Sequence, residues 1–305
     1  MDTNIDTLEP AESATTLQRP IYWPVALSEE VVDRPFAATV GDTDLALFRN
    51  SDGQVNALLD QCAHRRAPLT LGQVVGGCAI ACPYHGWQFE GATGRCVVIP
   101  NQSADEKIPK AYKVPVFPVL EQDGMVFIAT SESAGREAEP TGFENLPVGE
   151  ASYAHSSLIV YPFEHLVDLL LDAPGAVIDV PGVTVADDHR YGEPLVQDGR
   201  IETEVAAYWT RKLRPLEVIS DYPLILRIVA DLRGSRMRGE LRDLSGEVLC
   251  SVDIGLSPYG ETLTRVLIRG VDLQRHEKPI RMVAREHLDP DRIRAVKRYT
   301  SPSRK

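Results

Sequence analysis

The sequence lacks any apolar run long enough to cross a bilayer, so a membrane-spanning helix is not expected. It also lacks a surplus of positive charge: 32 Lys and Arg stand against 44 Asp and Glu, a formal net charge of −12. Nucleic-acid binding relies on clustered cations that displace phosphate counterions, so that class is excluded. The first 18 residues hold no Lys or Arg; Asp2, Asp6, Glu9 and Glu12 stand where a secretory leader would be basic and then apolar. Residues 1–19 read as an acidic tail. Five cysteines is an odd number for a disulfide framework, and a reducing cytoplasm is the expected setting. No nucleotide-binding glycine fingerprint occurs, since Gly76-Gly77 and the Gly91 to Gly94 stretch fall in hairpin-like settings; flavin or NAD is not expected.

What the chain does contain is two differently patterned halves. Between Ile21 and Thr130 short apolar runs (Phe36 to Val40, Leu45 to Phe48, Val55 to Leu59, Val114 to Leu120, Met125 to Ala129) alternate with turn signals such as Asp52-Gly53 and Asp123-Gly124. That is an all-β pattern, assigned to residues 20–131. Residues 132–154, mixing Ser, Gly, Pro and Glu, read as a linker. In 155–300 the spacing predicts a helix from Pro162 to Ala173, stopped by Pro174-Gly175, and then a meander over Ile201–Trp209, Leu224–Leu232, Met237–Leu244, Val248–Leu256 and Leu263–Leu273. Pro258-Tyr259-Gly260 is expected to separate the last two strands. Helices are predicted over His276 to Leu288 and Pro290 to Tyr299, and 301–305 is a tail. The second half is thus α+β with one sheet. Arg292 to Lys305 holds six Lys or Arg and no acid, a pattern of a solvated helix end with partner docking as the alternative.

The chemistry-bearing motif is Cys62-Ala63-His64, seventeen residues, then Cys82-Pro83-Tyr84-His85. Each short loop supplies one thiolate and one imidazole. Two of each suit a [2Fe-2S] centre, the thiolates holding one iron and neutral imidazoles the other. A zinc ion with four Cys and His ligands is the competing reading, although zinc sites usually group Cys with Cys and His with His. The remaining cysteines, Cys78, Cys96 and Cys250, are expected to be buried small hydrophobes.

Extended over Cys62-Ala63-His64-Arg65-Arg66-Ala67-Pro68-Leu69, Cys82-Pro83-Tyr84-His85-Gly86-Trp87-Gln88-Phe89 and Thr93-Gly94-Arg95-Cys96, the text resembles the Rieske domain of aromatic-ring-hydroxylating and demethylating oxygenases. The resemblance covers about the first 130 residues. It differs from respiratory Rieske proteins, whose two loops are joined by a disulfide, because Ala67 and Tyr84 stand where those extra cysteines would be. Arg65 and Arg66 would either attract an acidic electron donor or hold the loop. Tyr84 and Trp87 are expected to shield the cluster and pack the domain.

The same resemblance implies a helix-grip, START-like second domain with a mononuclear non-haem iron gripped by two His and one carboxylate. Here the pattern breaks. In Val167-Asp168-Leu169-Leu170-Leu171-Asp172-Ala173-Pro174-Gly175-Ala176-Val177-Ile178-Asp179-Val180, Asp168 and Asp172 match the first two positions, but Gly175 and Val180 stand at the two His positions. Glu277 falls at the carboxylate position, and a one-residue shift offers only Asp179. Mononuclear Fe(II) is therefore not expected in this chain. A relocated site would draw on His155, His165, His189, His276 or His287; His165, Asp168 and Asp172 share one face by helical spacing. By resemblance Asp172 would be the bridge that carries electrons between subunits of a ring. Both carboxylates are expected to be partly buried and to need cationic partners.

The leading expectation is an electron-transfer component of a Rieske oxygenase system. It would hold one cluster and serve a partner subunit with an intact mononuclear iron site, in a trimeric or hetero-oligomeric ring fed by a reductase and, as an option, a ferredoxin. A self-sufficient oxygenase with relocated iron ligands is the second reading, and a redox-inert scaffold is the third.

Overall fold

The computed structural model describes residues 22–103, 106–129, 151–197, 199–212, 219–231, 235–272, 281–285, 287–288 and 293. Among them no helix is long and apolar enough to cross a membrane. Residues 132–150 of the expected linker 132–154, the carboxylate Glu277 and the basic stretch from Arg292 to Lys305 lie outside the described residues, apart from Ile293, and the last two linker residues, Tyr153 and Ala154, already belong to the strand Tyr153–Ile159.

The first half is three small antiparallel sheets. Phe36–Val40, Thr43–Arg49 and Val55–Leu59 form one, with Ala38 opposite Leu45 and Leu47 opposite Ala57, all four buried. Gln73–Val75, Ala79–Ala81, Gln88–Glu90 and Cys96–Val98 form the second. Tyr22–Leu27, Met125–Ala129 and Val119–Gln122 form the third. The run Val114 to Leu120 is not one strand. Pro115 and Pro118 lack the amide donors a ladder needs, so 114–117 makes one isolated bridge, Leu58 to Val116, and pairing starts at Val119.

The second half wraps an antiparallel sheet around helix α1, Phe163–Asp172. The sheet order is Tyr153–Ile159, Leu263–Asp272, Val248–Tyr259, Arg236–Asp243, Leu224–Asp231, Arg200–Trp209, Val183–Arg190, with Leu195–Gln197 also pairing with Arg200–Trp209. Leu166, Val167 and Leu169 to Leu171 of α1 are buried in the same core as Val205, Leu226, Ile254 and Ile268 of the sheet. Strands Tyr153–Ile159, Val183–Arg190 and Leu195–Gln197 are not apparent in the sequence pattern. The expected stop at Pro174-Gly175 is instead a break between two helices. Proline disfavours the helical conformation in the residue before it, so Ala173 turns out at φ −139°, ψ 68°, and Pro174 then opens the one-turn helix α2, Pro174–Val177. The strand Val248–Tyr259 runs through Pro258 and Tyr259, and the turn falls after them at Gly260. Within the expected helix His276 to Leu288, Val283–Ala284 is a short strand against Ile178–Asp179, continued by an Arg285 N–H bond to the Val177 carbonyl. The predicted helix Pro290 to Tyr299 lies outside the described residues except at Ile293.

The halves share a junction. Leu27, Met125 and Phe127 pack against Leu267, and Trp23 meets Phe163 edge-on at 5.2 Å between ring centroids. Arg236, 1% exposed, reaches from the large sheet to Asp123 at 2.7 Å and to Asp253 at 3.4 Å, while Arg238 holds Asp253 at 3.1 Å. Burial pushes the Asp253 carboxyl up and the two arginines oppose that shift. Arg269 Nη1 donates to the Asp123 carbonyl, and at Gly124, φ +75°, a Cβ would lie 1.5 Å from that nitrogen. Glycine suits that backbone conformation, and a Cβ would displace the Arg269 guanidinium from the Asp123 carbonyl.

Removing one member of a buried charge cluster strands the others. Arg236→Met should lower stability by about 3 kcal/mol, read from the urea midpoint, whereas Arg227→Met, which breaks the more exposed pair with Glu202, should cost about 1 kcal/mol or less.

Candidate metal centre

Two loops carry the four candidate donor residues. Cys62–Ala67 follows the strand Val55–Leu59, and Cys82–Trp87 joins Ala79–Ala81 to Gln88–Glu90. Both close with one hydrogen-bond pattern. Cys62 N–H donates to the Ala67 carbonyl (2.9 Å) and Arg66 N–H to the Cys62 carbonyl (2.8 Å); Cys82 N–H donates to the Trp87 carbonyl (2.8 Å) and Gly86 N–H to the Cys82 carbonyl (3.0 Å). Each loop puts the residue four after its cysteine in the left-handed region, Arg66 at φ 56° and Gly86 at φ 70°. A Cβ on Gly86 would meet Pro100 Cγ at 2.9 Å, so the second loop needs glycine, while the first accepts a cost of about 1 kcal/mol at Arg66.

This loop shape sorts the donors. Cys62 and Cys82 are 2% and 3% exposed and sit in a core with Leu69, Ile80, Phe89 and Cys96. Burial pushes the Cys62 thiol up, and its hydrogen bond with Cys82 adds to that. His64 and His85 are exposed, with ring centroids 4.7 Å apart. The Trp87 indole lies parallel to His64 at 4.6 Å and 4°, and Tyr84 covers His85 at 3.9 Å. Desolvation by its neighbours, then the charges of His85 and Arg65, holds the His64 imidazole below its ordinary value. The neutral ring is the form that donates to a metal. The donors thus stand as two like pairs, thiol beside thiol and imidazole beside imidazole.

Arg65 and Arg66 are exposed, and among the described residues neither guanidinium makes a hydrogen bond or ion pair, so these side chains do not hold the loop. Trp87 packs as expected, but Tyr84 is 60% exposed and covers only His85. Of the other cysteines, Cys96 and Cys250 are buried; Cys78, expected inside, is exposed because it sits in the turn between Gln73–Val75 and Ala79–Ala81.

In the second half Gly175 and Val180 are core residues. Gly175 N–H donates to Asp187 Oδ1 at 2.8 Å, and its carbonyl accepts from Arg285 Nε at 3.0 Å. Arg285 also pairs with Asp179 at 2.8 Å. Asp168 is buried and Asp172 mostly so. Arg190 Nη2 binds Asp172 Oδ1 at 2.8 Å, and the same nitrogen reaches the carbonyls of Leu171 and Asp172 at the C-terminus of α1. This pairing was not legible in the sequence, since eighteen residues and a strand separate the partners. A cavity of about 690 Å³ opens beside Asp172, lined also by Thr184, Asp187, Asp188, Tyr208 and Tyr222. His155, His165, His189 and His287 are all exposed, and His189 stacks on Tyr222 at 4.4 Å. Although His165 lies three residues before Asp168, one faces solvent and the other the core. Among the described residues no three His, Cys, Asp or Glu side chains are grouped around one ion position. His276 and Glu277 lie outside them.

Comparison with known proteins places this geometry. Residues 22–118 match the Rieske [2Fe-2S] domain model. The iron-sulfur subunit TsaM2 of a putative toluene-4-sulfonate monooxygenase system from Comamonas testosteroni is 30% identical over 241 residues, 78% of this chain and 67% of that protein. The chain belongs to the Rieske non-haem iron oxygenase family. The oxygenase component of dicamba O-demethylase from Stenotrophomonas maltophilia is 36% identical over 198 residues, 61% of this chain and 55% of that one. A crystal structure of dicamba monooxygenase with non-heme iron and dicamba superposes with a TM-score of 0.63 at 27% identity, covering 84% of this chain and 77% of that one. The chain thus spans about half the length of its dicamba relative and about a third of oxidoreductase NdmD from Pseudomonas putida.

Arg190→Leu should remove the 2.8 Å ion pair with Asp172 and lower stability by about 2 kcal/mol in chemical denaturation, with Arg190→Lys recovering part of the loss through charge alone.

Proposed function

We propose that this chain binds one [2Fe-2S] cluster through Cys62, Cys82, His64 and His85 and serves as an electron-carrying component of a Rieske oxygenase system. In that system a partner subunit would supply the mononuclear iron. The observation that carries this reading is the contrast between two sites. In the first half a buried thiol pair lies beneath an exposed imidazole pair, a donor set that fits two irons, each with like ligands. A single four-coordinate zinc would need all four donors around one point. In the second half Gly175 and Val180, which by resemblance stand at the family's two imidazole positions, are buried and have no side-chain donor atom, and arginines occupy the surroundings.

When bound, the cluster supplies one-electron storage. The chain's residues prepare its seat. Cys62 and Cys82 would lose their protons on binding, which at Cys62 overrides the upward push of burial, and the core around them keeps water from the sulphur side. His64 enters already biased toward the neutral form, with Trp87 fixing its ring plane. The exposed imidazole edge is where a second protein could approach within electron-transfer range. Asp172, expected by resemblance to bridge subunits, is held by Arg190 at the cavity rim, and it keeps that bridging role in this proposal through its position. The upstream reductase, with or without a ferredoxin, and a ring-shaped assembly belong to the same reading.

The test is analytical first and functional second. The anaerobically purified chain should carry two irons and two acid-labile sulfides, and Cys62→Ser should lose the visible absorbance and the low-temperature electron-resonance signal. Oxygenation should appear only when a second oxygenase subunit is added to chain and reductase. A third tightly bound iron, or turnover by this chain and a reductase alone, would overturn the proposal in favour of a self-sufficient enzyme.

A further inference from the structure

We infer that the chain receives electrons on a face separate from the imidazole tip, centred on Tyr112, Val97 and Val98, and that the donor docking there is an acidic one-electron protein. This rests on the cluster assignment proposed above. Three observations meet on this face. First, it has an apolar centre in the open: Val97, Val98 and Tyr112 are 46%, 39% and 40% exposed, and the Cys96 N–H bond to the Tyr112 carbonyl at 2.8 Å sets the two segments side by side. Second, the rim is basic in a chain of net charge −12. The stretch from Lys107 to Pro118 contains Lys107, Lys110 and Lys113 and no acid, and the backbone of Arg95 pairs with that of Lys113 in an isolated antiparallel β-bridge. All four cations are exposed, and among the described residues none has a carboxylate partner. At the margin lie Glu90, bonded to Thr93, and the exposed Glu106. Third, the face connects inward through rings in contact: Tyr112 lies 5.1 Å from Trp87, and Trp87 stacks on His64.

An apolar centre with a charged rim is the usual anatomy of a protein interface. Unpaired lysines around it attract an acidic partner and speed encounter, an effect that salt suppresses. An electron carrier needs to meet a donor and an acceptor, and this face would leave the tip formed by His64, His85 and Tyr84 free for the acceptor. The step itself is simple: the donor gives up one electron, the bound cluster takes it, and no bond forms or breaks.

The experiment is stopped-flow reduction of the cluster-loaded chain by a reduced, acidic plant-type ferredoxin. At low salt the double variant Lys110→Glu/Lys113→Glu should react at least about tenfold more slowly than wild type, and the difference should vanish at high salt. Dithionite should reduce both to the same extent, and Arg65→Glu/Arg66→Glu should lose much less. Equal or salt-independent rates, or a loss carried instead by the Arg65 and Arg66 variant, would overturn the inference. So would self-association abolished by the lysine reversals, which would make the face a contact between copies. A chain that shows no cluster absorbance would instead remove the cluster assignment, and this inference with it.

Discussion

The arrangement of the first half depends on one backbone device used twice, a six-residue loop closed on its cysteine by a pair of backbone hydrogen bonds. Because the cysteine anchors each ring, its side chain turns into the core, and the residues that follow are lifted to the surface. Thiol and imidazole are thereby separated by burial as well as by chemistry. The low-dielectric side receives the two thiols and the wet side the two imidazoles. The strands around the loops serve this separation: Gln88–Glu90 and Ala79–Ala81 hold the second loop at both ends, and Val55–Leu59 delivers the first.

In the second half charge pairs fix the segment that follows α1. The segment from Asp172 to Val180 is tied to the sheet by two arginines, Arg190 on Asp172 and the end of α1, and Arg285 on Gly175 and Asp179. These contacts give the segment a defined path using this chain's own charges. Arg190 also places a cation at a helix C-terminus, where the carbonyl dipoles favour it.

Much of the fold was legible because the strands alternate and the turns are marked by glycine; Phe36–Val40, Val55–Leu59 and Arg200–Trp209 fall where the pattern puts them. What escaped had local text at odds with its tertiary setting. Val114 to Leu120 looks like a strand until its two prolines are counted against the ladder, and Val283–Ala284 pairs only because Ile178–Asp179 is brought to it. The candidate donors were readable in the text because each Cys-His pair lies within one short loop. The pairing of Asp172 with Arg190 was not, since nothing local links a helix end to the far end of a strand. Cys78 was misplaced for a similar reason: composition says that cysteines are buried, but a turn decides otherwise.

The turn Asp123-Gly124 belongs by sequence to the first half and by its bonds to the second, where Arg236 and Arg269 grasp it. The iron-sulfur module is consequently not a portable cartridge. Cut free, it would carry Leu27, Met125 and Phe127 into water together with an orphaned aspartate, so recombination between family members would succeed only when donor and recipient exchange the sheet residues that meet this turn.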